Sequence, residues 1–128
     1  MNRMRMGLIG AGATAAAYAR ALKSLIYVDF VGVADPDHEK ALGLTAIYGG
    51  EACESAADLI RAAQPDAVIV ATPLNSRVDS VQVAADGGCS VFVEAPIAAT
   101  VEDAEAMTAS CQAAEVKFMV GHVLRFEP

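Results

Sequence analysis

Residues 10–15 read Gly-Ala-Gly-Ala-Thr-Ala, a G-x-G-x-x-A spacing. Such a run can grip an anion without a charged side chain. Gly10 would permit a tight turn off a strand, Gly12 would let a phosphate approach the bare backbone, and Ala15 is small enough for a helix to lie close to a sheet. The N–H groups of Ala13 and Thr14, at the positive end of the helix dipole, would then meet a pyrophosphate, and Thr14 would add a hydroxyl. The turn alone is a weak signal, because glycine-rich turns are common. A dinucleotide site also needs an acid at the end of the next strand to accept hydrogen bonds from the adenosine ribose. Asp35 stands 23 residues after Gly12, directly behind Val31-Gly32-Val33-Ala34. Its competing reading is a turn residue before Pro36. A carboxylate there would repel a 2′-phosphate, and Pro36 and Asp37 supply no arginine to hold one, so NAD is expected over NADP.

These residues do their work only if a strand precedes the glycines and a helix follows. Met4 to Ile9 reads as a short apolar strand, and a helix is expected from about Gly12 to Leu25. Phe30 to Ala34 reads as a second strand ended by Asp35-Pro36, with Asp37 capping a helix from His38 to about Ile47. A brief third strand is expected near Glu51–Cys53. Ser55-Ala56-Ala57-Asp58 has the form of a capping box, opening a helix that Gln64-Pro65 closes. Ala67 to Ala71 is continuously apolar, the pattern of a strand covered on both faces. A helix from about Asn75 to Ala85, a strand at Ser90–Val93, a helix capped by Thr100 and a last strand at Lys117–Gly121 complete the series. Alternation with short loops predicts a doubly wound α/β domain over residues 1–128. Its parallel sheet has about six strands, with helices on both faces.

The same opening residues admit another reading. Arg3 and Arg5, an apolar run and Ala17-Tyr18-Ala19 are the parts of a secretory signal peptide. Cleavage there would remove the strand expected at mid-sheet, which favours the dinucleotide reading. The three cysteines are an odd number without a Cys-x-x-Cys, so neither a disulfide framework nor a zinc site is expected, and buried thiols in a reducing cytoplasm are. The three acids at the start of the helix after Thr100, Glu102, Asp103 and Glu105, are read as helix-dipole partners rather than as metal ligands. A net charge of −7 argues against a nucleic-acid partner, and no apolar run approaches the ~20 residues of a bilayer span.

With these features in place, the chain resembles the nucleotide-binding half of the glucose–fructose oxidoreductase / inositol dehydrogenase / MocA family of NAD(P)-dependent oxidoreductases. The resemblance is carried by GLIGAGATA, VGVADPD, AVIVATPLNS, VFVEAPIAATVEDAEAM and FMVGHVLRFEP. It implies that Ala71, Thr72, Pro73 and Asn75 line the ribose and nicotinamide side of the cofactor, with Glu94 beside the nicotinamide ribose. Helix capping by Asn75 and strand termination by Thr72-Pro73 are the ordinary alternatives. Two residues depart from the family pattern. Ala95 stands where the family has the lysine of Glu-Lys-Pro, and Arg77 near where it often has a histidine. The family's substrate domain would begin after Pro128, and His122 reads as structural, so no catalytic residue is assigned.

Three functions follow. The first is a dinucleotide-binding domain of an oxidoreductase that binds NAD without turnover by itself. The second is a regulatory or partner-binding module that kept the cradle, with Ala95 as the trace of lost chemistry. The third is a structural domain that binds no nucleotide. Self-association, or association with a separate substrate-binding partner, is expected through surface left uncovered.

Overall fold

The computed structural model describes residues 3–121. The strands are β1 (Met4–Ile9), β2 (Val28–Ala34), β3 (Glu51–Cys53), β4 (Ala67–Val70), β5 (Ser90–Glu94) and β6 (Phe118–Gly121). Between them run α1 (Ala13–Lys23), α2 (His38–Tyr48), α3 (Ala56–Ala63), α4 (Arg77–Asp86) and α5 (Val101–Ala113). All neighbouring strands pair in parallel in the order β3-β2-β1-β4-β5-β6, the doubly wound arrangement. The order reverses between β1 and β4, which opens a crevice at their carboxyl ends.

Residue alternation along the strands divides the core. Leu8, Val33 and Ile69 point to one face, where α1 lays Ala15, Ala19 and Leu22 and α2 lays Ala41 and Leu44. Ile9, Val68, Val70, Val91 and Val93 point to the other, against α3, α4 and α5. Alanine supplies much of the α1 contact, so that helix sits close to the sheet. A register shift between Met6 and Gly7 leaves Val31 as an extra residue in β2. Gly7 and Gly32 are then paired, and Leu59 of α3 fills the notch above them. A β-carbon on Gly7 would lie 3.1 Å from Leu59 Cδ2, and one on Gly32 would lie 2.8 Å from Cδ1.

The expected capping residues act as caps. Asp37 accepts from the N–H groups of Glu39 and Lys40, Ser55 from Asp58 and Thr100 from Asp103. Several boundaries differ from expectation by one or two residues, and two of them have a clear cause. β2 begins at Val28, two residues early, because it continues alongside Met4 and Arg5 of β1. The helix expected from Asn75 begins at Arg77, since Leu74–Ser76 forms a single 3₁₀ turn after Pro73.

The basic start of the chain also has a structural task that its sequence did not suggest. Arg3 pairs with Asp29 at 3.0 Å. Arg5 donates to the carbonyls of Ala63 and Gln64 at the end of α3, where a cation complements the helix dipole. The segment that resembles a signal peptide is the strand between β2 and β4 and the helix packed on it.

Candidate functional site

The crevice at the switch point is a cleft of about 610 Å³. Its walls come from the β1–α1 turn (Gly10, Ala11, Gly12), the end of β2 (Asp35, Pro36) and the segment after β4 (Ala71, Thr72, Pro73). Of the ten expected site residues, Gly10, Gly12, Asp35, Ala71, Thr72 and Pro73 line it. Ala13 and Thr14 are exposed in the first turn of α1 at its edge, while Asn75 is exposed on the 3₁₀ turn, off the lining. Glu94 is half-buried at the end of β5, also off the lining.

Each glycine of the turn has a separate reason. Gly10 has φ +109°, and a β-carbon there would come within 2.5 Å of the Ala71 carbonyl oxygen. Only glycine fits. Gly12 has ordinary extended torsions (φ −79°, ψ −170°), and a β-carbon on it would meet nothing within 4 Å. The protein therefore does not require glycine at 12 for its own packing. It leaves open space over the start of α1, where an incoming group can touch the backbone. The first hydrogen bond of that helix runs from Ala16 N to Gly12 O (3.0 Å), and no side chain caps it. The N–H groups of Ala13, Thr14 and Ala15 thus have no acceptor within the helix and stand at the positive end of its dipole.

Asp35 is oriented by the backbone. Its Oδ2 accepts from Ala11 N (2.8 Å) and its Oδ1 from Asp37 N (2.8 Å). Each oxygen keeps a lone pair for a further donor such as a ribose hydroxyl. The Asp35–Ala11 bond also ties the end of β2 to the glycine turn, so the acid serves structure and cleft together. Thr72 is a second marker. Its Oγ1 is buried in the cleft wall without a hydrogen-bond partner. An unpaired buried hydroxyl is costly and uncommon, and it fits a group supplied by a ligand. Open space over Gly12, free lone pairs on Asp35 and the unpaired Thr72 hydroxyl suit a dinucleotide.

Several participants were not identified from sequence. Ser55 lines the cleft as well as capping α3, and Lys40, Glu54, Ser76 and Ser80 complete the wall. Lys40 lies one turn into a helix whose cap was legible, so its place could have been read from the helical repeat. Arg77 could not. It is only 7% exposed, and its guanidinium donates to the carbonyls of Thr72 (2.8 Å), Glu94 (2.6 Å) and Pro96. Burial lowers its pKa, while the neighbouring Glu94 and Tyr18 act in the opposite sense. Tyr18, on α1, donates from its hydroxyl to Glu94 Oε1 (3.2 Å) and sets its ring edge-on to Phe92, with centroids 5.9 Å apart. Burial first, and then the Glu94 charge and hydrogen bond, push the Tyr18 phenol up to about 12. Among the described residues no three His, Cys, Asp or Glu side chains converge as metal ligands, and no helix is long and apolar enough to cross a membrane. His122 lies outside the described residues.

Comparison with known proteins agrees with this geometry. Residues 4–122 match the oxidoreductase family with an NAD-binding Rossmann fold. The rhizopine catabolism protein MocA of Rhizobium meliloti is 34% identical over 128 residues, covering all of this chain and 40% of the relative. A 3-ketoreductase variant from Actinomadura kijaniata, solved with TDP-benzene and NADP, superposes with a TM-score of 0.90 at 25% identity. That match covers 99% of this chain and 41% of the other. The WlbA dehydrogenase from Bordetella pertussis, solved with NADH and UDP-GlcNAcA, gives a TM-score of 0.89 at 26% identity, covering 94% and 37%. The chain therefore spans about two fifths of the length of these proteins. A family match over residues 4–122 and a relative 34% identical along the whole chain make this chain a member of the glucose–fructose oxidoreductase / inositol dehydrogenase / MocA oxidoreductase family, in its NAD-binding Rossmann part.

Proposed function

We propose that residues 1–128 are a dinucleotide-binding domain that takes NAD in preference to NADP and does not turn over substrate by itself. The observation that carries the preference is Asp35, whose carboxylate is fixed on the cleft wall by Ala11 N and Asp37 N. A fixed negative charge accepts from ribose hydroxyls and repels a 2′-phosphate. Gly10 and Gly12 with the N–H groups of Ala13 and Thr14 would hold the pyrophosphate. Ala71, Thr72, Pro73, Asn75 and Glu94 would face the nicotinamide half. The bound nicotinamide supplies hydride transfer. This chain's residues bind and orient the dinucleotide, and the substrate must be presented by other residues. That is the basis for expecting binding without turnover.

Calorimetric titration with NAD, NADH, NADP and NADPH tests the reading. NAD or NADH should bind more tightly than its phosphorylated counterpart, and Asp35→Ala should weaken NAD more than NADP. Absence of binding by all four at millimolar concentration would leave a purely structural domain. Unchanged NAD affinity in Asp35→Ala would remove the ribose role, and equal loss of NAD and NADP would remove the preference.

A second reading is favoured by Ala95. The position lies between Glu94 and Pro96, whose carbonyls Arg77 holds, and a methyl group there can neither carry charge nor transfer a proton. On that reading the chain is a regulatory or partner-binding module that retained the cradle. It would work in a reducing cytoplasm, consistent with three free, buried thiols, and would associate with itself or with a substrate-binding partner. Sedimentation with and without NAD measures that association.

A further inference from the structure

Glu94 is held at two points by residues from two other elements. Its main-chain carbonyl accepts from Arg77 Nη1 on α4 at 2.6 Å. Its side-chain Oε1 accepts from the Tyr18 hydroxyl on α1 at 3.2 Å. Neither contact is a filler of the core. Arg77 is a buried cation whose described acceptors are all carbonyls: Thr72 after β4, Glu94 at the end of β5 and Pro96 just beyond. It ties together the two chain segments that border the carboxyl ends of the central strands. Tyr18 is fixed by its edge-on contact with Phe92, two residues before Glu94 on the same strand, so its hydroxyl has a defined direction.

We propose that Tyr18 and Arg77 are positioning residues for Glu94. Arg77 sets the path of the main chain and Tyr18 occupies one carboxylate oxygen, leaving Oε2 directed to the nicotinamide ribose. The proposal rests on the dinucleotide reading given above. The nicotinamide half of the site is then set from α4 and from α1, the helix of the phosphate cradle. A carboxylate at a strand end has several accessible rotamers. Satisfying one oxygen with a fixed neutral donor selects among them without neutralising the charge. The phenol, pushed up to about 12, remains a donor through the physiological range.

The experiment compares NAD with ADP, which carries the adenosine and pyrophosphate but no nicotinamide riboside. Tyr18→Phe keeps the ring on Phe92 and removes only the hydroxyl. In calorimetric titrations it should weaken NAD about fivefold and leave ADP unchanged. In a Glu94→Ala background the same change should have no further effect on NAD, because the group it acts through is gone. Arg77→Lys keeps a cation that cannot span three carbonyls in one plane, and it should also weaken NAD selectively. Equal weakening of NAD and ADP by Tyr18→Phe would overturn the proposal, placing Tyr18 with the phosphate cradle. Unchanged NAD affinity would do the same, and so would additive losses in the Glu94→Ala background. If the unaltered chain binds neither ADP nor NAD, the dinucleotide reading itself fails and this assignment fails with it.

Discussion

At the scale of single residues, the two glycines of the β1–α1 turn separate folding from binding. Gly10→Ala places a β-carbon 2.5 Å from a backbone oxygen in a left-handed conformation. It should lower unfolding free energy by about 3 kcal/mol in urea titration. Gly12→Val adds its side chain to open space. It should cost about 1 kcal/mol or less as an N-cap change, yet weaken NAD at least tenfold in calorimetry. Thr72→Val gives the opposite pairing. Removing a buried hydroxyl that has no partner should stabilise the unliganded chain by about 1 kcal/mol, and NAD should bind less tightly if it uses that hydroxyl. A melting temperature that falls on this change would mean that the hydroxyl is already satisfied.

Among the elements, helix starts were the most legible, because a cap is a local matter between a side chain and N–H groups two or three residues on. Thr100 illustrates this. Its side chain accepts from Asp103 N at 3.1 Å, and Thr100→Ala should cost about 1 kcal/mol in chemical denaturation without altering NAD affinity. The strand order, the glycine turn and Asp35 could also be read, since each follows from alternation and spacing along the chain. What could not be read depends on approach between distant segments. Leu59 seated over Gly7 and Gly32 joins residues far apart in sequence, so Gly32 looked like an ordinary strand residue. Arg77 is marked in the sequence only by its departure from the family's histidine, because nothing near it announces three carbonyls around its guanidinium. Asn75 was placed at the cleft by resemblance alone, and the 3₁₀ turn that carries it leaves it exposed.

For the molecule as a whole, the burial of Tyr18, and then its contact with Glu94, should make stability depend on alkaline pH. The phenol, pushed up to about 12, lies above its ordinary value of 10.0, so the protonated form is favoured by folding. The contribution is complete below pH 10 and is lost as pH rises from 10 to 12, because only the unfolded chain releases the proton easily there. Urea midpoints should therefore fall more steeply for the wild-type chain than for Tyr18→Phe across that interval. Parallel curves would mean that the phenol titrates normally in the folded state. The thiols have a different consequence. Cys53 ends β3 at one edge of the sheet, while Cys89 precedes β5 and Cys111 lies on α5 in the other half. Burial raises the pKa of all three, so the folded chain shields them from alkylating reagents both sterically and electronically. They are in effect built-in clocks on the two halves of the sheet. Timed alkylation followed by peptide mass mapping distinguishes a sheet that opens as one cooperative unit from one whose β1–β2–β3 half comes apart ahead of β4–β5–β6.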